Sequence, residues 1–205
     1  MTVWVVKLGG SLANSEELPR WLEVITNAGA GKVVLVPGGG PWADEVRAAQ
    51  NREGFDDRVA HRRALCAMEQ YGKVLAGMRA NLVPAARIGE IHEALRNGKI
   101  ALWMPYEMVV ANPTIPESWD VTSDSLAAWL AKRLNASGLL LVKSFKIHGP
   151  QPGIEDLMRR DWVDPAFATF TSGMHFRFVL LGEGDQKVAE RMLTAADTVV
   201  ATSHG

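Results

Sequence analysis

A single cysteine, Cys66, stands among 205 residues, which excludes a disulfide framework and a cysteine-built metal site. Surplus charge is lacking as well: 22 Lys and Arg oppose 23 Asp and Glu, for a formal net charge of −1. A dedicated nucleic-acid binder needs clustered cations to displace counterions, so that class is set aside. No apolar run reaches the roughly 18 residues of a membrane-spanning helix. The longest, residues 100–111, is broken by Pro105 and Glu107. The first residues read as a strand with no basic region ahead of it, unlike a secretory leader. His61, His92, His148, His175 and His204 show no metal-ligand spacing. Gly29-Ala30-Gly31-Lys32 lacks the hydroxyl and the spacing of a P-loop, no G-x-G-x-x-G follows a strand, and no G-x-S-x-G elbow occurs. The expectation that remains is a cytoplasmic protein of one domain over 1–205, working on small molecules and not on nucleic acid or membrane.

What is present alternates between two patterns. Short, nearly continuous apolar runs at 3–8, 32–36, 100–104, 139–142, 176–181 and 198–201 predict buried parallel strands. Between them, 16–27, 41–50, 57–78, 88–96, 123–135 and 186–195 carry helical spacing or helix-terminus signals. Leu18, Trp21, Leu22 and Ile25 form one such stripe, and Asn97-Gly98 ends another helix. Residues 112–119 and 145–153, rich in proline and glycine, read as loops, the second as a mobile one. Strands alternating with helices of this size predict an α/β three-layer αβα sandwich around a mostly parallel central sheet.

Ligands of open α/β sheets sit at the carboxyl ends of strands. The first two strands both end there in glycine turns that feed helices, Lys7-Leu8-Gly9-Gly10-Ser11 and Pro37-Gly38-Gly39-Gly40. Glycine lets backbone N–H groups approach an oxyanion, and a helix start adds favourable partial charge. One such turn reads as plain turn chemistry; two, with a lysine leading into the first, point to phosphate. Thr122-Ser123-Asp124-Ser125 opens a helix, and capping by Thr122 or Ser123 accounts for part of its polarity. Lys143 follows a buried strand much as Lys7 ends one, so the two lysines form a candidate clamp for a transferring phosphoryl group. Asp57 to Arg63 starts the longest helix with a basic cluster, read as a solvated face or, through Arg58, His61 or Arg62, as a hold on an anionic acceptor.

Taken together these segments resemble the amino acid kinase superfamily. Lys7 to Ser11 is similar to its opening K-x-G-G-S, Val36 to Gly40 to its H/P-G-G-G turn, and Thr122 to Ala128 to its D-x-x-A helix start. A closer resemblance is to the [5-(aminomethyl)furan-3-yl]methyl phosphate kinase-type branch of methanofuran and one-carbon cofactor biosynthesis. It is carried by Ala60-His61, Ala67 to Gly72, Ile115 to Asp124, Leu141 to Ser144 and Val163 to Phe167. Two departures stand out: Ser172 to Arg177 only partly echoes a G-G-M-x-x-K stretch, and Lys143 to Gly149 replaces T-D-x-D-G-V.

The resemblance implies transfer of the γ-phosphoryl of ATP, with Mg²⁺, to a small-molecule phosphate ester, by a homo-oligomeric enzyme. It implies catalytic roles for Lys7, Asp124 and Lys143, and nucleotide contacts from Lys7, Gly9, Gly10, Ser11, Lys143 and Ser144. For the acceptor it implies Gly38, Gly39, Gly40, Arg58, Thr122 and Ser123. A carboxylate or carbamate acceptor, or a non-catalytic nucleotide- or oxyanion-binding role, stays open beside it.

Overall fold

The structure, a computed structural model, describes residues 2–195. β1 (Trp4–Leu8) passes through a 3₁₀ turn (Gly10–Asn14) into α1 (Leu18–Ala28) and β2 (Val33–Pro37). The chain continues through α2 (Gly40–Glu53), α3 (Asp57–Met78), β3 (Leu82–Ala85), α4 (Ile88–Arg96), β4 (Ile100–Trp103) and α5 (Tyr106–Val110). The second half holds α6 (Ser123–Arg133), β5 (Gly138–Val142), α7 (Ile154–Arg159), α8 (Phe167–Thr171), β6 (Arg177–Leu181) and α9 (Gln186–Ala195). The strand expected at 198–201 lies outside the described residues. Among these residues no helix is long and apolar enough to cross a membrane.

All pairings are parallel, in the order β3-β4-β2-β1-β5-β6. The sheet is fully parallel, as the continuous apolar runs imply, and helices cover both of its faces. Side-chain alternation shows the layers directly. Val5, Val34, Val36, Leu139 and Leu141 join one core, against α4, α6 and α8. Trp4, Val6, Leu8, Leu35, Leu140 and Val142 join the other, against α1 and α9. The α1 stripe is buried as its spacing requires, with Trp21, Leu22 and Ile25 fully enclosed.

Four elements escaped the apolar pattern. β3 is a short edge strand containing Pro84, tolerated there because an edge needs fewer ladder donors. The helices α5, α7 and α8 have five or six residues each, too few for periodicity to register. Residues 145–153 lack regular structure, as expected. Gln151 nevertheless joins this stretch to the outer edge of β6: its side chain accepts from the Leu180 nitrogen at 2.8 Å and donates to the Phe178 carbonyl at 3.4 Å.

Strand order reverses around β1. The chain moves outward from β1 through β2 to β3, steps back to fill in β4 between them, then crosses to place β5 on the other side. The carboxyl ends of β1 and β5 therefore border the crevice where such sheets hold ligands. Beside it the glycine turns after β1 and β2 touch backbone to backbone. A Cβ on Gly10 would stand 2.3 Å from the Gly40 nitrogen, and one on Gly38 would stand 2.3 Å from the Gly10 nitrogen. Neither contact can yield without moving a strand end. Gly10→Ala is therefore expected to cost roughly 1–3 kcal/mol as an overpacking change, visible as a lower urea midpoint; an unchanged midpoint would show that the turns are free to separate.

Candidate active site

Lys7 continues the series Val3, Val5 along β1, so the alternation turns its side chain toward α6. Asp124 is the second residue of α6, and Lys143 follows β5 directly. The three charges meet at the crevice. Lys7 Nζ lies 2.7 Å from Asp124 Oδ1, and Lys143 Nζ donates to Oδ2 at 2.8 Å. Oδ1 receives no well-aligned hydrogen bond, so Lys7 holds it by charge. Lys7 and Asp124 are buried, Asp124 at 5% exposure, and Lys143 is nearly so, with 12% of its side chain exposed.

Burial alone would push the Asp124 carboxyl up, but the two ammonium groups together outweigh it and hold it below the usual carboxylate range. Lys143 responds the other way. Burial first, and then the charge of Lys7, push it down to about 8, against the pull of Asp124. Two cations share one anion, so the cluster holds one uncompensated positive charge out of bulk water. An anion is the natural counterpart of such a site.

The start of α6 is held from a distance. Thr122 does not cap the helix by accepting, as its position led us to expect; it donates instead. Asp164, buried at 7% exposure, accepts from the Thr122 nitrogen and hydroxyl, both at 2.8 Å, and from the Ser125 nitrogen at 3.1 Å. Its other oxygen accepts from the Ser125 hydroxyl. Burial and the charge of Asp124 raise the Asp164 carboxyl, while these donors oppose the rise.

A cavity of about 270 Å³ opens next to the turn that carries Asp124, although Lys7, Asp124 and Lys143 do not themselves line it. Gly10, Ser11, Gly39, Gly40, Thr122 and Ser123 line it, so six of the residues singled out from the sequence come together. Gly9 and Gly38 stand behind that wall, bonded to the Val142 and Leu8 carbonyls at 2.9 Å each. Ser144 meets Ser11 hydroxyl to hydroxyl at 2.8 Å, joining the turns after β1 and β5. Arg58 is not brought to the cavity; it is largely exposed and lies 3.6 Å from Glu117. Arg62, the other candidate cation, is engaged by the same carboxylate in two bonds of 2.8 and 3.0 Å.

The opposite wall comes from residues to which the sequence gave little weight. Arg47 of α2 stacks on Trp119 at 3.8 Å from the ring centroid, and Trp119 Nε1 donates to Gln50 Oε1 at 2.6 Å. Asp44, one turn before Arg47, also lines the cavity; His61 of α3, alone of the three side chains named from the basic cluster, joins them. The i, i+3 spacing of Asp44, Arg47 and Gln50 was the available signal. Among the described residues no group of three or more His, Cys, Asp or Glu could hold a metal.

The amino acid kinase family model matches residues 2–146. The chain belongs to this family. A relative described as [5-(aminomethyl)furan-3-yl]methyl phosphate kinase, from Methanocaldococcus jannaschii, is 26% identical over 138 residues, or 67% of this chain. The match spans 63% of that relative's length. The fold is that of solved amino acid kinase structures. UMP kinase from Bacillus anthracis superposes with a TM-score of 0.66 at 16% identity, covering 95% of this chain and 92% of that one. Uridylate kinase from Archaeoglobus fulgidus gives 0.66 at 15%, covering 94% and 95%. Aspartate kinase from Synechocystis gives 0.60 at 13%, covering 88% of this chain and 38% of its own. In this family member, the cluster and the cavity both fall where the K-x-G-G-S, G-G-G and D-x-x-A segments meet.

Removing the shared anion leaves two buried cations facing each other. Asp124→Asn is expected to destabilise the protein by about 3–5 kcal/mol in urea unfolding, while Lys143→Met, which leaves Lys7 and Asp124 paired one to one, costs far less. Equal losses in the two variants would contradict the sharing described above.

Proposed function

We propose that this chain is an ATP-dependent kinase whose acceptor is a phosphate monoester. The observation that carries the reading is the uncompensated buried cation of Lys7, Asp124 and Lys143, set against a cavity edged by two glycine turns and two hydroxyls. In this reading one domain spans 1–205, with the acceptor over its N-terminal half and the nucleotide over its C-terminal half. The name of the Methanocaldococcus relative supports an aminomethylfuran-methyl phosphate as acceptor, with a diphosphate as product.

Each residue then has a task. The Lys7 and Lys143 ammonium groups neutralise the charge of the phosphoryl group in flight, and Asp124 fixes both before it arrives. The backbone N–H of Gly10 faces the same group, while that of Gly9 is spent on the Val142 carbonyl and fixes the turn to β5. Gly39, Gly40 and Ser123 hold the acceptor phosphate, with Gly38 supporting the turn and Thr122, whose N–H and hydroxyl are both given to Asp164, bordering the site. The Ser11–Ser144 contact joins the acceptor side to the nucleotide side. Mg²⁺ suits a site with no carboxylate cluster of its own, because it is commonly held through nucleotide phosphates. When bound there it neutralises charge on those phosphates. A phosphate acceptor is already anionic at neutral pH, so no general base is needed, and catalysis is positioning plus charge neutralisation.

ADP release should be tested with ATP and Mg²⁺ against [5-(aminomethyl)furan-3-yl]methyl phosphate, isopentenyl phosphate, a nucleoside monophosphate and acetylglutamate. Turnover on a phosphate ester and not on the carboxylate supports the reading; turnover on acetylglutamate alone overturns it. Lys7→Ala is expected to lower kcat roughly 10²-fold or more, by analogy with removing one preorganised donor. A folded Lys7→Ala protein with full turnover would refute the assignment.

Lys143 is charged below about 8 and loses its proton above it. The kcat/KM for ATP, which reports the free enzyme, should therefore fall as pH rises through that value. A profile flat to pH ~10, the range in which an unperturbed lysine stays charged, would show that burial and Lys7 do not depress Lys143 in the free enzyme.

A further inference from the structure

Three polar side chains of the cavity are unspent. His61 is 4% exposed, and its Nδ1 lies 3.0 Å from the Ser118 carbonyl. A carbonyl only accepts, so Nδ1 carries the proton and the neutral ring leaves a lone pair at Nε2. That Nε2 is buried and has no hydrogen-bond partner among the described residues. A buried ring nitrogen of this kind is usually satisfied, and here the ring borders a cavity. Burial lowers the His61 pKa, with the charge of Arg62 adding to it against Ser118 and Glu117, which keeps the ring neutral at pH 7.

Asp44 and Arg47 stand one turn apart on α2, both lining the cavity. Opposite charges at this spacing commonly pair. These two make no ion pair, with each other or with any described residue, and Arg47 instead lies flat on Trp119. A carboxylate at the mouth of a site built for phosphate repels that ligand unless the ligand also brings positive charge.

We propose that the cavity selects zwitterionic acceptors, in which a protonated amine at one end is received by His61 Nε2 and the Asp44 carboxylate. Arg47 and the glycine turns take the phosphate at the other end. This deepens the phosphate-acceptor reading above and rests on it. It assigns the amine end to two residues outside the glycine and lysine motifs.

The test is calorimetric binding to the nucleotide-free protein of [5-(aminomethyl)furan-3-yl]methyl phosphate and of (5-methylfuran-3-yl)methyl phosphate, which lacks the amine. The wild-type protein should bind the amine on the order of 10- to 100-fold more tightly, the range of one lost hydrogen bond to a charged group. Asp44→Asn and His61→Leu should each close most of that gap, and His61→Gln, whose amide oxygen still accepts, should keep more of it than His61→Leu. If His61→Leu does not fold, Asp44→Asn at the exposed mouth decides. Equal affinity for the two esters, a gap intact in Asp44→Asn, or no binding of either ester overturns the inference. ADP release, measured separately, tells the two readings apart. Equal binding with turnover of both esters sinks the amine subsite and leaves the kinase. Selective binding of the amine without turnover does the reverse.

Discussion

One carboxylate shared between two lysines sets the terms for the rest of this molecule. Burial by itself works against the Asp124 charge, and the carboxylate is kept ionised by Lys7 and Lys143, which flank it. The lysines in turn are kept at the carboxyl ends of two neighbouring strands that nothing but a parallel sheet would align. Such an arrangement is a poor source of stability, because desolvating three charges offsets most of their attraction. Its value is positional: the charges are fixed before any ligand arrives.

Keeping Asp124 in place falls in part to a residue outside the cavity. Asp164 fastens the first turn of α6 through four donors, while the glycines after β1 and β2 allow two turns to meet without side chains between them. Thr122 and Ser123 thus reach the cavity on the same rigid helix start that carries Asp124 toward the lysines. The two functions of this turn, bordering the acceptor cavity and holding the charge cluster, cannot drift apart.

Much of this was readable in the chain. Parallel strands buried on both faces are written as unbroken apolar runs, so β1, β2, β4, β5 and β6 announced themselves, and Lys7 and Lys143 stood out as charges at their ends. β3 did not, because four residues with a proline at a sheet edge need no such run. The cap of α6 was misassigned because its acceptor, Asp164, lies 39 residues beyond Ser125 and only the fold brings it back. Arg58 drew attention as part of a basic cluster, yet Glu117 stands beside it, and Arg47 reaches the cavity. Which of several arginines faces a cavity depends on how α2 and α3 are turned, and α2 is too polar to show its inward side. His61 stood out in the sequence only as one member of the basic cluster that could hold an anion; that one of its nitrogens is buried without a partner shows only in the structure.

The side chain of Gln151 has a bearing on how this protein keeps its own company. A terminal strand offers an open row of amides and carbonyls to any extended chain that passes. On β6 two members of that row, the Leu180 amide and the Phe178 carbonyl, are already taken by a single primary amide reaching in from the 145–153 loop. At the far border Pro84 has no amide hydrogen to offer. Among the described residues the sheet is thus blunted at both margins by single residues, which discourages edge-to-edge stacking between molecules while leaving the ligand crevice open at its middle.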